Sequence, residues 1–207
     1  MKIIQSGIQG LLLLVSLLLF SLQSLANENE AVAVVEKLHD KLLHVMQNGE
    51  SLGFQGRYDV LEPVIESGFD TPLISRVILS RYWGELSDEK QQDFIDLFNR
   101  LSTATYASRF NSFSGESFRT IGVDTLKKGR LLVKTELVRP DDDNVKLEYI
   151  VQENAGTWYI ISVIADGVND LALKRAEYAA IITDRGFESL VGEIQNKIRD
   201  LETDTAN

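Results

Sequence analysis

The residues to weigh first for chemistry are the two histidines, His39 and His44, because imidazole is the usual general base and the commonest metal ligand. They lie in a stretch of helical periodicity at a spacing that sends them to different faces, whereas a helical metal pair needs its ligands at i and i+3 or i+4. His39 borders the apolar stripe and His44 falls in solvent, so neither receives a chemical role. Asp141-Asp142-Asp143 resembles a calcium cluster only superficially. It lacks the glycine and the closing glutamate of a calcium loop, and with Pro140 and Asn144 around it a solvated hairpin turn is the better reading. No Gly-x-Ser-x-Gly elbow, Walker loop or dinucleotide glycine pattern is present. Asp166 is the one carboxylate with a case. At the end of a buried strand, near a concave pocket, it would serve as a proton-abstracting base if burial raised its pKa. The favoured role is structural, with Asp166 accepting hydrogen bonds from the backbone of the tight turn at Gly167. No catalytic set and no metal site are expected.

The aromatic residues are the other unusual set. Phe69, Trp83, Phe94, Phe98, Tyr106, Phe110, Phe113, Tyr149, Trp158 and Tyr178 are spread over segments that should converge. Most belong to an ordinary core, and some are expected to wall a cavity.

The elements that position these residues are readable from periodicity. Ala31, Val34, Val35, Leu38, Leu42 and Val45 recur at helical spacing, giving an amphipathic helix ended by Asn48-Gly49. Gly53 and Gly56 should keep the chain loose before a short helix over 57–68. Asp70 or Thr71 caps a further helix with Pro72 in its first turn, running to about Trp83-Gly84. Ser87-Asp88-Glu89-Lys90 opens a long helix reaching about Phe113, with Phe94, Phe98, Leu101 and Thr105 on one stripe. The period then becomes alternating. A strand at 117–125 is followed by Leu131, Val133, Thr135 and Leu137 facing one way, by Val145, Leu147, Tyr149 and Val151, and by the strand from Trp158 to Ala165. Asn169 caps the next helix and Gly186 closes it; Phe187, Leu190, Val191, Ile194, Ile198 and Leu201 share one face of the last helix. The predicted fold class is α+β: a curved four-stranded antiparallel sheet packed by N-terminal and C-terminal helices around an apolar cavity.

Bulk properties narrow the setting. Lys2, the apolar run from Leu11 to Phe20 and the small-x-small site Ser24-Leu25-Ala26 read as a signal peptide over 1–26, leaving a single domain over 27–207. An exported chain with no cysteine fits a bacterial periplasm. The net charge of −10 repels phosphate backbones, so nucleic acid is excluded as a partner class, and any dealing with membranes should run through protein partners.

The chain resembles the MlaC family, also called the toluene-tolerance auxiliary proteins, over nearly the whole mature region. The pieces that carry the likeness are Tyr58 to Pro63, Phe69-Asp70, Leu79-Ser80-Arg81-Tyr82-Trp83, Phe94, Phe98, Thr105-Tyr106-Ala107, Trp158 with its strand, Asp166-Gly167-Val168 and Gly186. Family members usually carry glycine where Ser80 stands and serine where Asn169 stands. The run from Asp170 to Tyr178 looks closer to HpnM, the hopanoid-associated branch. The resemblance implies a soluble periplasmic carrier, with no catalytic residues, metal or cofactor. Its cargo would be a phospholipid, or a hopanoid-like lipid, passed between an outer-membrane lipoprotein complex and the substrate-binding component of an inner-membrane ABC transporter. The lipid-binding wall is then expected from Phe69, Phe94, Phe98, Leu101, Tyr106, Leu147, Tyr149, Val151, Val168, Leu171 and Tyr178. Two competing classes remain. One is an enzyme on a related cone-shaped fold, with Asp166 as base and Tyr106 or Tyr149 as hydrogen-bond donor. The other is an interaction module with a filled core.

Overall fold

The computed structural model describes residues 27–204; the expected signal peptide over 1–26 lies outside them. Helix α1 covers 27–47, with Ala31, Val35, Leu38, Leu42 and Val45 fully buried on the predicted stripe. Helix α2 (Gly49–Gly68) follows, longer than expected at its start: Asn48 does not release the chain into a loop, and only Gly53 departs from helical geometry, at φ 60°. Gly49 is needed there because a Cβ would sit 2.0 Å from the carbonyl oxygen of Asn111. Arg57, buried, donates to the carbonyls of Gly49 at 2.7 Å and of Ala107 at 2.8 Å, which staples the start of α2 to the end of the later long helix.

Asp70 caps α3 (Thr71–Leu79), accepting from the Leu73 amide at 3.0 Å. The helix ends earlier than predicted because Ser80 takes φ 52° and ψ −119°, after which Ser80–Glu85 winds as a 3₁₀ turn. Helix α4 (Asp88–Arg109) starts at the predicted Ser87 cap and stops four residues short of Phe113, with Phe110 as its C-cap. The sheet contains β1 (Ser117–Thr125), β2 (Arg130–Val138), β3 (Val145–Asn154), β4 (Thr157–Ala165) and β5 (Val168–Asn169), all antiparallel in sequence order. It is open and has five strands, one more than the sequence reading. Asp166 and Gly167, at φ 47° and 82°, form a two-residue turn of the primed kind that returns the chain on itself, so the Asp-Gly pair is a hairpin corner. Helices α5 (Asp170–Arg185) and α6 (Phe187–Asp204) complete the chain, with Gly186 between them at φ 85°.

Two apolar clusters result. One joins α1 and α2 to the inner face of the sheet through residues such as Leu38, Leu61, Val133, Tyr149 and Ile160. The other gathers α3, α4, α5 and α6 around Ile78, Phe94, Leu101, Tyr178 and Leu190. Phe54, Tyr58 and Phe69 touch both. Phe69 also bridges to Ile160 of β4, and the Asp70 amide donates to the Ile160 carbonyl at 3.1 Å, so the linker between α2 and α3 is fixed to the sheet.

Candidate functional site

Between the two clusters lies a cavity of about 470 Å³. Its walls come from four directions. Ile74 and Ile78 of α3 and Phe98, Leu101 and Tyr106 of α4 form the helical side; Leu137, Leu147 and Tyr149 form the sheet side. Val163 of β4 and Val168 of β5 continue the sheet, and Leu171 of α5 closes the remaining flank. The strand residues on the apolar face are placed by the two-residue period: Leu137, Leu147 and Tyr149 are buried while their neighbours in the chain are half-buried or exposed. The volume is within the range of about 300–1,000 Å³ that small-molecule sites occupy.

Of the eleven residues predicted to wall a pocket, eight line this cavity: Phe69, Phe98, Leu101, Tyr106, Leu147, Tyr149, Val168 and Leu171. Three do not. Phe94 and Tyr178 pack edge to face with ring centroids 6.4 Å apart inside the helical cluster, against Phe187 of α6. Val151 shares a face with Tyr149, but it lies past a register shift between Ile150 and Val151 and is fully buried in the sheet cluster. The sequence reading missed Ile74 and Ile78, although their i,i+4 spacing on α3 announces one buried stripe. It also missed Arg109, Asp170 and Lys174, which carry no periodic signal.

The cavity floor is tied to α1. Tyr149 Oη lies 2.9 Å from His39 Nε2, and the His39 ring stacks on Phe118 of β1 with centroids 4.0 Å apart. Burial lowers the His39 pKa to about 4, so this imidazole is neutral near pH 7 and supports the sheet where the sequence had put it only at the edge of a stripe. Burial likewise raises the phenol of Tyr149 well above its ordinary value. His44 is exposed, as expected.

Asp166 does not line the cavity. It is exposed, its Oδ1 accepts from the Lys146 amide at 2.9 Å and its own amide donates to the Lys146 carbonyl at 2.9 Å. It anchors the hairpin corner to β3 and does not bond the Gly167 turn, as the sequence reading had it. Asp166 is therefore not placed as the base that the enzyme alternative assigned to it; the carboxylate that lines the cavity is Asp170. Among the described residues there is no group of three or more His, Cys, Asp or Glu arranged to hold a metal, and no helix long and apolar enough to cross a membrane.

No curated protein matches the chain in sequence. Among solved structures, a phospholipid-binding protein from Ralstonia solanacearum, determined in complex with a phospholipid, superposes with a TM-score of 0.73 at 19% identity, covering 83% of this chain and 98% of that one. At that identity the likeness establishes a shared fold. The sequence profile of the MlaC protein family matches residues 36–196, from within α1 to within α6 and so across every element that walls the cavity. The chain belongs to the MlaC family.

Proposed function

We propose that this protein is a soluble periplasmic carrier that holds phospholipid acyl chains in the cavity between α3, α4, α5 and the sheet. The observation that carries the reading is the cavity's predominantly apolar lining, to which both hydrophobic clusters contribute. Membership of the MlaC family and the shared fold with a phospholipid-bound protein support the same cargo class. The expected lipid contacts are Phe69, Phe98, Leu101, Tyr106, Leu147, Tyr149, Val168 and Leu171. Phe94, Val151 and Tyr178 act behind them as packing.

The energetics set how such a carrier works. Each buried methylene contributes about 0.8 kcal/mol, so two acyl chains fully removed from water gain roughly 20 kcal/mol. Cargo held that strongly does not leave through solvent, and release needs a partner that opens the cavity or extends its apolar surface. Helix α5 is the wall suited to moving, because Tyr178 and Ile181 are its buried residues and the rest of it is wholly or partly exposed. The partners proposed are an outer-membrane lipoprotein complex and the substrate-binding component of an inner-membrane ABC transporter, with export directed by residues 1–26. Mass spectrometry of an organic extract of the purified protein tests the reading. A diacyl phospholipid near one per chain is the expected result, and a polycyclic lipid in its place would favour a hopanoid-type cargo.

A further inference from the structure

The exposed end of the cavity differs from its walls. Val168 and Leu173, at 53% and 56% exposure, mark the mouth, and two cations share it: Arg109 in the last turn of α4 and Lys174 on α5. Lys174 donates from Nζ to Asp170 Oδ1 at 3.0 Å. Arg109 is exposed, and among the described residues no side-chain hydrogen bond or ion pair holds its guanidinium. The two features meet at one hydroxyl: burial is the main cause that raises the Tyr106 phenol, the Asp170 carboxylate adds to the rise, and the Arg109 guanidinium opposes it. The mouth thus carries two cations against one carboxylate, in a chain whose net charge is −10.

An amphiphile with its chains among Phe98, Leu101 and Leu147 would bring its polar end out beside these groups. We propose that Arg109 and Lys174 form a phosphate-binding rim that takes the anionic phosphate of a cargo whose acyl chains fill the cavity. This rests on the carrier reading above and adds a headgroup requirement to it. The guanidinium fork of Arg109 matches two phosphate oxygens, and the Lys174 ammonium supplies a point charge. Asp170 competes with the phosphate for Lys174, so Arg109, which no carboxylate holds, makes the larger contribution. Because the two cations sit on α4 and α5, a phosphate held by both would link two walls of the cavity across its mouth.

The test is competitive loading. The purified chain is incubated with vesicles carrying equal amounts of phosphatidylglycerol and the diacylglycerol of the same chains, and bound lipid is quantified by mass spectrometry. The wild-type chain should prefer phosphatidylglycerol by about tenfold at low salt. The preference should fall severalfold at high salt, where exposed charges are screened. In the Arg109→Gln/Lys174→Gln double variant it should approach parity, with an unchanged melting temperature. A preference that survives both salt and the double substitution overturns the proposal. Equal loading of the two lipids by the wild type overturns the rim and leaves the carrier reading intact, whereas loading of neither overturns the carrier reading. Calorimetric titration with inorganic phosphate separates the remaining source. Micromolar binding of phosphate that leaves lipid loading unaffected would make the rim a free-phosphate site and overturn its assignment to lipid.

Discussion

Acidification should destabilise this protein through His39 by an amount that the structure sets. The ring is 4% exposed, stacked on Phe118 and bonded to the Tyr149 hydroxyl, and burial lowers its pKa from 6.5 to about 4. The unfolded chain therefore binds more protons than the folded one between those values, and stability rises with pH through that window. Read downward from neutral pH, the loss reaches about 2 kcal/mol at pH 5 and about 3 kcal/mol at pH 4, where it levels off. The hydrogen bond itself survives, because a charged imidazole donates to the hydroxyl oxygen where a neutral one accepts or donates. What is lost is solvation of the new charge. Urea unfolding of the wild type and of His39→Gln at several pH values isolates the effect from the carboxylates, which both proteins share. The wild type should lose about 3 kcal/mol more than the variant between pH 7 and pH 4. Parallel pH profiles for the two proteins would refute the argument.

Two further outcomes follow from the geometry. Ser80→Gly should stabilise the chain by about 1 kcal/mol, read as a higher urea midpoint, because it relieves a positive φ that costs an L-residue about 1–2 kcal/mol and gives up only an exposed bond from Arg175. Val168→Asp should leave stability within about 0.5 kcal/mol, since the side chain is half exposed, yet cut copurifying lipid at least about tenfold by placing a carboxylate on the apolar path into the cavity.

The parts of the fold that the sequence made legible are those where one physical pattern acts alone. The alternation in Leu131, Val133, Thr135 and Leu137 needs only a sheet with one covered face, and these residues are all buried. Asn169 and Ser87 cap because their side-chain oxygens meet the free amides of Ala172 and Lys90. The misses occur where a local signal was outweighed or had two readings. Gly49, Gly53 and Gly56 suggest a loop, but Arg57 and the close approach of Asn111 hold that segment as helix. Asp166-Gly167 reads as a strand-to-helix joint because β5 is too short to show a period, although Asp-Gly is also the signature of a primed hairpin turn. In the cavity, pattern placed apolar side chains inward but could not separate those facing space from those facing one another. Phe94 and Tyr178 face each other, and Val151, which continues the alternation of Leu147 and Tyr149, packs inside the sheet cluster. Arg109 and Lys174 were invisible as site residues because a surface cation on a helix has no distinguishing spacing.

The central claim, a lipid carrier built around the cavity between α4, α5 and the sheet, is tested most directly by what the purified protein holds. Native mass spectrometry of the intact chain, followed by fragmentation of whatever dissociates, gives both stoichiometry and chemistry. A mass increment of one diacyl phospholipid is expected on most molecules, reduced to a minor fraction in Val168→Asp. A wild-type chain that is uniformly lipid-free, and stays so after incubation with phospholipid vesicles, would contradict it.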